Sequence, residues 1–136
     1  MTTSSALTKN LLMVTALLEA AAGFAFIASP SLVVSLLLGV SLDTPGGLTV
    51  ARVAGAALLS LGFACWLGRD DGRSLAGRGI VAAMLLYNIA VVAVLGYTKL
   101  GLGIAGVGLW PAVGVHTVLG VWCVACLRST NPTRAT

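Results

Sequence analysis

The chain has 136 residues, 58% of them hydrophobic and only 9% charged, and its mean hydropathy is +1.03. These values exclude an ordinary soluble domain and describe an all-α, polytopic membrane protein, a single transmembrane domain of residues 1–136. The net charge of +4 comes mostly from Lys and Arg at the ends of apolar runs, where orientation in the bilayer accounts for them, so membrane lipids rather than nucleic acid are the expected partners.

Residues 1–10 are a polar, flexible lead-in that holds Lys9. The first span is Leu11–Ser29, with Glu19 near its middle. About 20 residues at ~1.5 Å each cross a hydrocarbon core of ~30 Å. A carboxylate at that depth costs ~2.5–3.5 kcal/mol on insertion scales, so it should face protein or water and have a partner. Thr15, Ala16, Ala22 and Gly23 flank it at helical spacing, a narrow face against which another helix can pack closely. Lys9 followed by an apolar run imitates a signal peptide. Glu19 interrupts that run, however, and Pro30 follows the only small-residue cleavage point, Ser29, so the run is read as a retained span.

Pro30 ends or kinks this helix. Ser31–Val40 is apolar but too short to span, which predicts an interfacial or re-entrant segment, and Asp43–Gly47 reads as a turn. The second span, Thr49–Leu67, places Arg52, Gly55, Ala56, Leu59 and Gly62 on one face, again suited to close packing. Gly68–Arg78 is polar and belongs in water. The third span, Gly79–Tyr97, carries Tyr87 and Asn88. A glycine-rich connection, Thr98–Gly108, leads to the fourth, Leu109–Leu127, with Trp110, Pro111, His116 and Trp122. Pro111 is tolerated because it falls in the first turn. The tail from Arg128 is polar.

With four spans, Lys9, Arg69, Arg73, Arg78, Arg128 and Arg134 share one side, and Arg52 and Lys99 share the other. This bias predicts a cell inner-membrane protein with both termini in the cytoplasm. Counted by rise from that face, Glu19 and Asn88 lie near ~13 Å, His116 near ~20 Å and Arg52 near ~26 Å. Glu19, Arg52, Asn88 and His116 are therefore the candidate intramembrane polar site, a column opening outward. Each also has a plain packing role. Glu19 can fix helix register by bonding Asn88, Arg52 can snorkel to headgroups, and His116 and Asn88 can hold helices together. Tyr87 and the tryptophans suit interfaces and packing.

Two motifs fail on context. Gly101, Gly103 and Gly106 spell G-x-G-x-x-G, but a dinucleotide site needs a preceding strand and a soluble βαβ unit. Cys123 and Cys126 spell C-x-x-C, but in the last turns of a span, without the helix N-terminus that stabilises a thiolate. Cys65, Cys123 and Cys126 all lie in apolar runs, so no disulfide framework is expected. His116 and Cys123 are about 10 Å apart by rise, too far for one zinc. No cofactor or metal is expected.

Glu19, Gly23, Pro30, Gly39, Arg52, Gly55, Gly62, Cys65, Trp66, Tyr87, Asn88, Trp110, Pro111 and His116 together form a pattern covering most of residues 11–127. It resembles small bacterial four-helix inner-membrane proteins of unassigned function, loosely DoxX-like. That resemblance implies a four-helix membrane bundle and carries no catalytic residues across. Leu17, Leu18 and Glu19 are similar to the first helix of small multidrug-resistance transporters, which implies a titrating glutamate. This chain departs from those in its length, in Ser31–Val40, and in Arg52 and His116. Three readings follow: a structural, accessory or interaction protein of the membrane, partnered by another membrane protein or a second copy; a small proton-coupled transporter using Glu19; and a lipid- or quinone-linked membrane enzyme. No catalytic nucleophile, base and orienter can be assembled from these residues, so an enzyme is not the expected reading.

Overall fold

In a computed structural model, which describes residues 3–72 and 74–129, the elements in order are α1 (Thr3–Ala28), α2 (Pro30–Leu38), α3 (Pro45–Gly68), α4 (Leu75–Leu102) and α5 (Leu109–Ser129). There is no strand among the described residues. All but α2 are long and apolar enough to cross a membrane. The chain is a four-helix, multi-pass membrane protein, and α2 is the short apolar segment between the first two spans.

The helices outrun the apolar stretches that announce them. The expected lead-in is helical from Thr3, because its first turns are held from outside. Thr8 is buried, and the Lys9 ammonium lies 2.6 Å from the Asp70 carboxylate in the turn after α3. The polar stretch before the third span is shortened in the same way: α4 starts at Leu75 because the Ser74 hydroxyl accepts the Gly77 N–H at 2.9 Å, a side-chain N-cap. At its other end α4 continues through Thr98 to Leu102. It stops where Gly103 takes the left-handed conformation, φ 70°, and returns its N–H to the Lys99 carbonyl.

The glycine-rich connection has a structural task. Gly106 N–H donates to Leu37 O at 2.9 Å and Gly108 N–H to Leu36 O at 2.8 Å, satisfying the last carbonyls of α2. A Cβ on Gly106 would fall on the Leu36 carbonyl. Thus G-x-G-x-x-G here is a helix stop and a docking strip for α2.

Packing divides the bundle into two pairs, α1 against α3 and α4 against α5, with a thinner seam between them. In the first pair the backbones touch. A Cβ on Gly23 would lie 2.6 Å from Gly55 O, one on Gly55 would lie 2.7 Å from Gly23 O, and one on Gly62 would lie 2.9 Å from Ala16 O. Lipid tails are as apolar as leucine, so this close approach, not water exclusion, favours the pair. The most buried side chains, among them Leu11, Leu12, Cys65, Met84, Leu119 and Cys123, fill the half of the bundle nearest Lys9. Lys9, Arg69, Arg78 and Arg128 mark that end, and Arg52 and Lys99 the other. Arg73 and Arg134, counted in the charge bias, lie outside the described residues.

Candidate functional site

Just beyond the packed core, α1, α4 and α5 bring polar side chains together inside the bundle. Glu19 on α1 is only 3% exposed, and its Oε2 accepts the Tyr87 hydroxyl at 3.2 Å. This bond crosses the seam between the two helix pairs. Next to Tyr87 on α4, Asn88 is 1% exposed and bridges inside its own pair. Its Nδ2 donates to Met84 O at 2.7 Å, and its Oδ1 meets His116 Nδ1 of α5 at 2.8 Å. The Tyr87 and His116 rings stand edge to face, centroids 5.5 Å apart at 79°, a favoured aromatic arrangement.

Two expectations need correction. Glu19 bonds Tyr87, not Asn88, because α4 is rotated so that Tyr87 faces α1 while Asn88 faces α5. The column of four is not assembled either. Glu19, Asn88 and His116 are linked through Tyr87, whereas Arg52 is exposed and turned aside. Arg52 Nε donates to Ile27 O at 3.3 Å, placing its cation on a last-turn carbonyl of α1, where the helix dipole favours it. Glu19 takes part in no ion pair among the described residues. Tyr87, which the sequence assigns to interfaces and packing, is the residue missing from the expected column. Its depth could have revealed it, since it lies one residue from Asn88 and far from either interface.

Two openings border these groups, and a third lies apart from them. A cleft of about 250 Å³ between α1, α4 and α5 is lined by Glu19, Tyr87 and His116, with apolar walls that include Leu18, Ala22 and Val115. A groove of about 410 Å³ along α4 and α5 reaches Asn88 and His116 from the other side. A larger groove, about 610 Å³, runs along the outer face of α1 and α3, floored by Ala16, Ala20 and Gly62 and walled by Leu17, Phe63 and Trp66. The one described buried side-chain oxygen without a partner is Thr15 Oγ1, one turn before Glu19.

The three cysteines, all buried, form no disulfide among the described residues. Cys65 of α3 packs in one cluster with Cys123 and Cys126 of α5. Among the described residues no three His, Cys, Asp or Glu side chains are placed to hold a metal ion. Outside the membrane the Lys9 ammonium, hydrogen-bonded to Asp70, holds that carboxyl below its ordinary range. Arg69 lies beside the same carboxylate at 3.5 Å and stacks over Trp66, 4.2 Å from the ring centroid, a cation–π contact at the bundle end. Comparison with known proteins adds no relative: no family model, no curated protein and no solved structure matches the chain.

Proposed function

We propose that the chain is a structural or accessory protein of the cell inner membrane, with both termini in the cytoplasm, that works by association with another membrane protein or a second copy. The observation that carries this reading is the outer groove of α1 and α3. Small residues form its floor and Leu17, Phe63 and Trp66 its walls, a shape that admits a further transmembrane helix at close range. The internal polar groups support it, because Tyr87 bonds Glu19, and Asn88 bonds Met84 O and His116, within the bundle, and these bonds serve to fix it. The test is a photo-reactive side chain at Ser60, an exposed position lining the groove. It should form a discrete cross-linked product in native membranes, whereas the same probe at Val118, 64% exposed on α5, should not. Equal labelling from both positions would contradict the reading.

A second reading, the proton-coupled carrier, is favoured by one observation: Glu19 lines a cleft in the seam between two helix pairs. Glu19→Gln separates the two, because it keeps shape and hydrogen-bonding capacity but removes titration. An accessory protein keeps its cross-link and its stability on this change. A carrier keeps its stability and loses proton-coupled uptake in vesicles. The orientation is tested by a periplasmic phosphatase fused after Thr136, which should be inactive.

A further inference from the structure

The bonding around Asn88 settles the chemistry of His116. Met84 O can only accept, so the Asn88 atom facing it at 2.7 Å is the amide nitrogen, and this fixes the side-chain amide the right way round. The other Asn88 atom, Oδ1, can also only accept, and it lies 2.8 Å from His116 Nδ1. Nδ1 therefore carries the hydrogen. In the neutral ring the lone pair is then on Nε2, which has no hydrogen-bond partner among the described residues and is not among the sealed-off buried atoms. The histidine is oriented from behind and left with a free acceptor, the arrangement by which a second group sets a ring's tautomer.

That acceptor belongs to a residue lining the cleft of about 250 Å³, together with Glu19 and Tyr87. Tyr87 spends its hydroxyl hydrogen on Glu19 Oε2, which leaves Glu19 Oε1 without a described partner. A ligand in the cleft that reaches His116 Nε2 must donate to it. A ketone or ether head cannot do so, while a hydroxyl can donate its one hydrogen to Nε2 and, when the Glu19 carboxyl is protonated, accept a second bond from it. Leu18 and Val115, 42% and 44% exposed, border the cleft, so its approach is apolar. Its volume is below the range of about 300–1,000 Å³ that holds a whole drug-sized molecule, which suits a head group whose tail stays in lipid. The Tyr87 and His116 rings both line the cleft, so a flat aromatic head can pack against them.

We infer that the cleft between α1, α4 and α5 is a binding site for the hydroxyl-bearing aromatic head of a lipid-soluble phenol, held by His116 Nε2 and Glu19. This goes beyond the accessory role and does not depend on it.

The chain has a single histidine, so protein labelled with ¹⁵N-histidine and prepared without a histidine tag gives one imidazole spectrum. In lipid nanodiscs the spectrum should show Nδ1 protonated and Nε2 bare. Addition of 4-hexylphenol should shift the Nε2 signal saturably, and 4-hexylanisole, the same molecule with its hydroxyl methylated, should not. Leu18→Trp, a change at an exposed position, should block the cleft and weaken the phenol response about tenfold or more. A proton found on Nε2, no saturable shift with the phenol, an equal shift with the anisole, or full binding in Leu18→Trp would each overturn the proposal.

Discussion

In the α1–α3 pair the backbones meet directly, Gly23 against Gly55 and Gly62 against Ala16, whereas α4 and α5 are bridged by a side-chain bond, Asn88 to His116. Both are answers to one problem, since helices in lipid gain little from hiding apolar surface from each other. The first pair gains dispersion contact by removing side chains. The second gains a hydrogen bond whose alternative is an unpaired polar group in hydrocarbon. The difference teaches where each pair is vulnerable: the first to added volume, the second to lost polarity. Glu19 and Tyr87 then join the pairs across the seam by the second method.

The largest expected effect comes from volume. Gly55→Leu puts atoms into the Gly23 carbonyl, and reversible unfolding in mixed micelles should show a loss of about 3 kcal/mol or more. Gly79→Ala, at a position where a Cβ meets nothing within 4 Å, should be neutral or stabilising by about 0.5–1 kcal/mol. Equal losses from both would erase the contrast between the pairs.

Next in size is Asn88→Leu. It strips the partner from His116 Nδ1 and should destabilise by about 2 kcal/mol in the same unfolding measurement. If the α4–α5 pair tolerates this change as well as it tolerates Gly79→Ala, the polar bridge does not hold it.

Thr15→Val sharpens the comparison in the opposite direction. It removes the buried hydroxyl that has no partner among the described residues and should raise stability by about 1 kcal/mol, because an unsatisfied group costs its desolvation. A loss on this substitution would reveal a hidden partner for Thr15.

The smallest effect belongs to the exposed Lys9–Asp70 pair at the bundle end. Its folded carboxyl is held below the ordinary aspartate value of 3.8 by the Lys9 hydrogen bond. Its contribution is therefore present above that value and is lost as pH falls below it through the lower range of the folded carboxyl. Comparing the melting temperature of the wild type with that of Asp70→Asn should show a difference at neutral pH that closes below about pH 4 and shrinks with added salt.

Much of this architecture was legible in the sequence. Hydropathy located the four spans, Pro30 marked the break before the short segment, and Glu19 stood out because an acid in an apolar run demands an explanation. The small residues beside it, Ala16 and Gly23, correctly announced a close neighbour. The helix ends were not legible, because outside the hydrocarbon a helix persists where something holds it, as Asp70 holds Lys9 and Ser74 caps Gly77. Nor was the partner of Glu19. Tyr87 and Asn88 are adjacent and differ by about 100° around the helix, so the rotation of α4, set by packing, decides which one reaches α1. Arg52 belongs to the expected column by its depth alone, yet the Ile27 carbonyl at the end of α1 holds it aside.

The claim at the centre of this account is that Glu19 and Tyr87 join the two helix pairs. A double-mutant cycle with Glu19→Leu and Tyr87→Phe, read by reversible unfolding, tests it directly. The account predicts a favourable coupling of about 0.6 kcal/mol, the average for hydrogen bonds between membrane helices, and no more than about 1.7. Strictly additive losses, with no coupling, would contradict it.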